Sequence, residues 1–192
     1  MKDASEEVLR SDDDALIIRA TRRWLERAVI GLKLCPFARH PYTSDRDRYF
    51  VSNARTQHAL RDDLQRELQW LIATDAAVCE TALLIIPGML AEFSEYNEFL
   101  GECDDVLGAC DLEGELQIAS FHPQYQFAHS SAGDITNFTN RSPYPMLHLL
   151  REASVERGVA EFPQIDEIGS NNIQTMRELG HKGWNALWIA DG

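Results

Sequence analysis

The sequence predicts an α/β fold, a single layered domain in which a small, partly parallel sheet of three or more strands packs against helices. Two observations carry this prediction: apolar residues recur at helical spacing in some segments, and short apolar runs typical of buried strands alternate with them. Strands joined by long helical connections run parallel. A chain of 192 residues can enclose one hydrophobic core. We therefore expect one domain over residues 15–190, preceded by a flexible acidic segment over residues 1–14.

The helices are predicted from apolar side chains that recur every three or four positions. Asp12 to Asp14 offer N-caps for the first helix, and Gly31 ends it. Thr56 caps the second helix, and Phe93 opens the third. The final two are either packing elements or lids. The predicted helices cover residues 15–32, 56–72, 93–107, 144–157 and 170–179.

The strands are predicted from short apolar runs over residues 49–53, 82–86 and 116–121. The run at 82–86, ALLII, ends at Pro87 and is typical of a strand buried on both faces. In open α/β sheets, ligands bind outside the carboxyl ends of parallel strands. The third strand leads directly into His122 and a polar loop, so we expect the functional site there.

The distribution of charge points to the same loop. A net charge of −13 argues against binding to nucleic acid or to an anionic membrane, because both are polyanions. Residues 67–140 contain 13 acidic side chains and no Lys or Arg. Arg141 is therefore the first fixed positive charge after Arg66, and we expect either a specific anionic partner beside it or a weak surface ion pair.

Cysteine usage and the absence of targeting signals predict a cytoplasmic protein with reduced thiols. The four cysteines form no CxxC pair and no zinc-finger spacing. No apolar run approaches the roughly 20 residues of a membrane helix, and the acidic start is unlike a signal peptide. GxGxxG and P-loop motifs are absent, which disfavours a nucleotide cofactor bound in those modes and leaves the cofactor unknown.

The candidate site lies within residues 121–152. His122, at a strand end, is the candidate acid–base group; the alternative is a histidine packed under the following loop. Arg141 offers a planar fork for a carboxylate or phosphate. The other residues assigned to substrate binding are polar or aromatic neighbours of these two, although the asparagines are equally typical of turns. They are Tyr125, Asn137, Asn140 and Tyr144.

Two further sets of residues carry weaker hypotheses. His148 and Glu152, one turn apart on the helix predicted over 144–157, form either a second acid–base pair or a solvated helix face. They also suggest metal ligands if His122 faces His148, although no third ligand is marked by spacing. Cys35 is either a nucleophile activated by Arg39 and His40 or a buried core residue.

Two classes of function remain open. The first is an enzyme that acts on a small anionic metabolite by His-centred acid–base chemistry, with Arg141 as the anion anchor. The second is a non-catalytic binding or assembly module, in which the acidic face of the third helix engages a basic partner. A separate hypothesis is that this acidic face (Glu95, Glu98, Glu102 and Asp105) meets the arginine stripe of the first helix (Arg19, Arg22, Arg23 and Arg27), within the chain or across a homodimer; the alternative is two solvated helix faces. Convergence of His122, Arg141 and His148 in one pocket would favour the enzyme.

Five segments resemble a bacterial domain-of-unknown-function family, numbered 1415. They are LCPFA (34–38), ETALLIIP (80–87), FSEYNEFL (93–100), FHPQYQF (121–127) and TNRSPYPMLHLLRE (139–152). The resemblance runs from about Ala15 to Trp188 and implies a single cytoplasmic-type domain with no assigned activity. One departure from the family pattern is Ile168-Gly169, where an Ile-Pro pair is expected.

Overall fold

The computed structural model describes residues 4–161 and 167–189 and is a mixed α/β fold, as predicted. A π-helical turn (Leu25–Ile30) continues the first helix, and a 3₁₀ helix (Ile135–Asn140) precedes the last strand. In chain order, the remaining elements are α1 (Ala4–Trp24), α2 (Arg39–Thr43), β1 (Asp47–Val51), α3 (Gln57–Ala73), β2 (Thr81–Ile85), α4 (Phe93–Ala109), β3 (Leu116–Phe121), β4 (Met146–Arg151), α5 (Glu152–Glu161) and α6 (Ile168–Ala186).

The four strands form one sheet in the order β1-β2-β4-β3. β1 pairs with β2 in parallel, whereas β4 is antiparallel to both of its neighbours. β1, β2 and β3 therefore all run in the same direction. We call the end of the sheet where these three strands terminate the upper end. The opposite end, where they begin and β4 terminates, is the lower end.

Helices cover both faces of the sheet. On one face, Leu84 and Leu147 pack in a core cluster with Leu64 of α3 and Phe99 of α4. On the other face, the core cluster is formed mainly by residues of α1, the π-helical turn, β2 and α6; its members include Trp24, Ala28, Leu83, Ile85 and Met176. Thr56 caps α3 as predicted, because its side-chain oxygen accepts a hydrogen bond from the backbone N–H of Ala59 at 3.2 Å.

The helix predicted over residues 144–157 is wrong, because residues 146–151 form β4 and the helix starts only at Glu152. Leu147 and Leu149 belong to the core cluster on the α3–α4 face, and Met146 belongs to the cluster on the opposite face. A central strand that is buried on both faces has no alternation of polar and apolar residues. Its apolar run also fits a helical spacing, which is why the sequence pattern was misleading.

The first helix begins at Ala4, so the N-cap predicted at Asp12 to Asp14 is wrong. Its arginine stripe does not meet the acidic face of α4, because α1 and α4 cover opposite faces of the sheet. Arg23 donates instead to the backbone oxygen of Trp188 at 2.8 Å. Pairing of the two stripes within the chain is therefore wrong, and pairing across a homodimer stays a prediction.

Arg151, the last residue of β4, joins three elements at the lower end. Its Nη2 donates to the backbone oxygens of Leu71 and Thr74, both at 2.6 Å, and of Cys79 at 3.1 Å. Two of these carbonyl groups belong to the carboxyl end of α3 and to its C-cap, Thr74, and the third lies two residues before β2. The lower end is thereby held together by a side chain from the central strand.

Candidate functional site

His122 lies at the carboxyl end of β3, as predicted, but it is completely buried. Its Nε2 donates to the backbone oxygen of Leu90 at 2.9 Å, and its Nδ1 accepts from the backbone N–H of Gln124 at 3.0 Å. Burial lowers its pKa, so the ring is held neutral beside Phe93 and Tyr96. Both ring nitrogens are committed to the backbone, which favours a structural role for His122.

His148 and Glu152 do not form the predicted pair. Because residues 146–151 are a strand, the four residues from His148 to Glu152 span roughly 13 Å rather than one helical turn. The His148 Nε2 lies 2.6 Å from the hydroxyl of Thr81, which itself donates to the backbone oxygen of Leu149. Nε2 therefore carries the proton, and burial lowers the pKa of His148 to about 4.

Metal binding by the predicted set is not supported by the geometry. Within residues 4–161 and 167–189, no group of three or more His, Cys, Asp or Glu side chains is placed to hold a metal ion, and this includes His122, His148 and Glu152. Cys35 is half-buried, and burial raises the pKa of its thiol, which opposes the thiolate that a nucleophile requires.

Arg141 holds the loop that follows β3. Its Nε donates to the backbone oxygen of Tyr125 at 3.2 Å and its Nη2 to that of Ala132 at 2.6 Å, while the guanidinium lies 4.2 Å from the centre of the Phe138 ring. No acidic side chain in the described part of the chain pairs with it. Arg141 also lines a cleft at the upper end of the sheet.

The other predicted binding residues either hold the loop after β3 or line a different cleft from Arg141. The buried amide of Asn137 accepts from the backbone N–H of Phe127 and donates to the oxygen of Ser131, so it shapes the loop. Asn140 donates to the backbone oxygen of Ser120 at 3.2 Å. Tyr125 packs against the rings of Phe93 and Phe127. Tyr144 lines a separate cleft at the upper end.

The predicted residues therefore do not converge. Neither His122 nor His148 lines any of the four clefts described for this protein, whereas Arg141 lines one of them. The combination of histidine, carboxylate and arginine that the sequence suggested does occur, but in a different place and with different residues.

A cleft of about 650 Å³ lies at the lower end of the sheet. We call it the basic cleft. Three segments meet there, because β1 and β2 begin at the end of the sheet where β4 terminates. The chemistry-bearing residues come from α2, from the positions just before β1 and β2, and from α5. They are Arg39, His40, Thr43, Arg46, Glu80, Ser154 and Arg157.

Glu80 is the central carboxylate of the basic cleft. Its side chain is only 15% exposed, and its two oxygens have different partners. Oε2 lies 3.1 Å from Nδ1 of His40, and Oε1 lies 3.5 Å from Nη2 of Arg157. An ionised carboxylate can only accept a hydrogen bond, so the Nδ1 of His40 must donate and carries the ring proton. The other ring nitrogen, Nε2, is then the basic one. The His40 side chain is 65% exposed, and no described residue bonds its Nε2.

The charge of the basic cleft is opposite to that of the whole protein. Arg39, Arg46 and Arg157 contribute three positive charges and Glu80 one negative charge, so the cleft carries +2 with His40 neutral, in a chain of −13. Among the described residues, Arg39 and Arg46 have no acidic partner. Guanidinium groups without a carboxylate at the wall of a cleft favour an anionic ligand.

Sequence reasoning missed this cleft because its parts are far apart in the chain. In the sequence, Arg39 and His40 stand out only as neighbours of Cys35, and nothing in their spacing relates them to Glu80 or Arg157. The one available signal was a glutamate directly before a buried strand. This signal points to the site only when residues just before a strand are weighed together with residues just after it.

The fold and its clefts define a mixed α/β protein whose sheet is covered on both faces and carries a basic cleft at its lower end. The chain belongs to the family described as "Protein of unknown function (DUF1415)", whose model matches residues 16–186. This confirms the resemblance of the five sequence segments. Comparison with curated proteins and with solved structures gave no match. No helix in the described ranges has the length and apolar character needed to cross a membrane.

The low pKa of His148 makes the stability of the protein depend on pH. The folded state keeps His148 neutral down to pH 4, whereas in the unfolded chain it is protonated below its ordinary pKa of 6.5. The unfolded state binds more protons in this window, so His148 should remove up to about 3 kcal/mol from the free energy of unfolding as pH falls from 7 to 4. His148→Leu should abolish that part of the loss.

Urea denaturation at several pH values measures this difference. The gap in the free energy of unfolding between the wild type and His148→Leu should change steadily between pH 6.5 and 4. The control is His58→Leu, because the His58 side chain is 88% exposed. A gap that stays constant over the window for His148→Leu would show that the buried imidazole does not titrate as described.

Proposed function

We propose that the protein binds a small metabolite bearing a phosphate group in the basic cleft, and that His40 acts on it as an acid–base group. The observation that carries this proposal is the position of Glu80. Its mostly buried carboxylate holds His40 on one oxygen and Arg157 on the other, at the wall of a cleft where Arg39 and Arg46 have no acidic partner among the described residues.

The size and charge of the cleft support a phosphorylated ligand. A volume of about 650 Å³ lies within the range of small-molecule sites. A net charge of +2 matches a phosphate monoester, which carries nearly two negative charges at neutral pH. Ser154 adds a donor: its oxygen accepts from Arg157 at 3.0 Å, so its hydroxyl hydrogen is free to bond a phosphate oxygen.

The His40–Glu80 pair supports acid–base chemistry. A histidine whose Nδ1 is held by a carboxylate has a fixed tautomer, and its Nε2 can take a proton from a substrate. The positive charge around it stabilises a negative charge that develops on the substrate. The function class expected from the sequence is thus retained, with His40 in place of His122 and Arg39, Arg46 and Arg157 in place of Arg141.

Binding of inorganic phosphate tests the first part of this proposal. Calorimetric titration at low salt should show saturable binding of phosphate and much weaker binding of acetate, which has one charge. Arg46→Gln should weaken phosphate binding about tenfold, because a charge-assisted hydrogen bond is lost. The matched control is Arg19→Gln, which removes one charge from an exposed position on α1 outside the cleft. If the two substitutions weaken phosphate binding equally, the loss comes from the net charge of the protein and not from a site in the basic cleft.

Turnover tests the second part. A panel of phosphorylated metabolites is incubated with the protein, and products are followed by ³¹P and ¹H NMR. His40→Gln should reduce turnover of any substrate by about a hundredfold or more, the usual scale of general acid–base catalysis, while phosphate binding changes little. If His40→Gln retains the wild-type rate, the acid–base role is wrong even where phosphate binding holds.

We propose as the alternative that the acidic face of α4 engages a basic partner. Glu95, Glu98 and Asp105 are exposed, and no described cation pairs with them; Glu102 differs, because it bonds Arg61 at 2.8 Å. If the partner is the arginine stripe of a second copy, light scattering at low salt should give a dimer mass that Glu98→Lys reduces toward the monomer. A monomer mass for the wild type would exclude self-association by this face.

A further inference from the structure

A second cleft, of about 410 Å³, lies at the upper end of the sheet, away from the basic cleft. It is bounded by α1, the start of the loop after β3, the segment before β4 and the end of α6. We call it the tryptophan cleft, because Trp24, Trp184 and Trp188 line it together with Phe138. Three of the four tryptophans of the chain are therefore gathered at one cleft.

The aromatic walls hold one another in place. The Phe138 ring lies edge-on to Trp184 at 5.2 Å between ring centres, and Trp184 lies edge-on to Trp188 at 5.4 Å. The indole N–H of Trp24 donates to the backbone oxygen of Arg141 at 2.8 Å. Trp24 and Trp184 are 2% and 7% exposed, so their rings are anchored in the core. An aromatic ligand meets a surface that needs little reordering.

Two arginines provide positive charge in this apolar setting. Arg141 uses two of its five N–H donors on the backbone oxygens of Tyr125 and Ala132, which leaves three for a ligand. Arg23 donates to the backbone oxygen of Trp188 and likewise has no acidic partner in the described ranges. No Asp or Glu is among the described residues that line the cleft. A partly desolvated guanidinium without a counter-charge favours an anion.

We propose that the tryptophan cleft binds a small aromatic carboxylate, with the ring against the tryptophans and the carboxylate on Arg141 and Arg23. The volume suits a compound of one or two rings. This inference does not rest on the function proposed for the basic cleft, since the two clefts lie at opposite ends of the sheet and share no lining residue.

The first test compares benzoate and indole-3-carboxylate with benzyl alcohol, which has a ring but no charge. In ¹H–¹⁵N NMR spectra of the labelled protein, both carboxylates should shift the indole N–H signals of Trp24, Trp184 and Trp188 saturably. The signal of Trp70, which lies outside the cleft, should stay in place. Benzyl alcohol should bind at least about tenfold more weakly than either carboxylate. Equal affinities for the alcohol and the carboxylates, or the absence of saturable shifts, overturn the proposal.

The second test uses substitutions. Arg23→Gln and Arg141→Gln should each weaken benzoate binding about tenfold and leave benzyl alcohol unchanged. The matched control, Arg19→Gln, lies on the same helix as Arg23 and should have no effect. If Arg141→Gln disturbs the loop, Arg23→Gln decides the question, because Arg23 makes a single backbone contact there. Retention of wild-type benzoate affinity by Arg23→Gln in a folded protein overturns the assignment of the carboxylate.

Discussion

The rest of the structure depends on the insertion of β4 between β2 and β3. An antiparallel strand in this position pairs on both sides, and both of its faces are buried under helices. Because it runs against its neighbours, the segment that enters it crosses the upper end of the sheet, and the helix that leaves it starts at the lower end. Arg141 precedes β4 and Arg157 follows it, so the two residues line clefts at opposite ends of the sheet.

Both clefts have more arginine than carboxylate side chains in their walls, although the whole protein is acidic. A chain of −13 repels small anions at long range, but screening reduces this effect beyond about 8–10 Å at physiological salt. Inside a cleft the nearest groups dominate, and both clefts are lined by guanidinium groups in excess of carboxylates. Many of the acidic residues that set the total are exposed and lie outside these clefts, such as Glu95, Glu98 and Asp105 on α4.

Much of the fold was predictable because local patterns agree with tertiary burial. The run at 82–86 marked β2, and Thr56 marked the start of α3, since a buried strand and an N-cap each have a local physical signature. β4 was missed for the opposite reason. Its residues satisfy a helical spacing, and only pairing with β2 and β3 makes the extended conformation the one that buries them. The predicted His148–Glu152 pair failed with it.

The sequence by itself determined the class of fold and the family, and it predicted a site built from histidine, glutamate and arginine. The tertiary structure decided which of these meet. His122 was expected in a cleft, but it is buried, with its Nδ1 bonded by the turn after β3 and its Nε2 bonded to Leu90 in the loop after β2. His40 gains a partner only because β1 and β2 begin at the same end of the sheet, which brings Glu80 to it across 40 residues. The spacing of residues along the chain constrains only local geometry. A cleft is formed by segments that are far apart in the chain, and their contact depends on the tertiary structure.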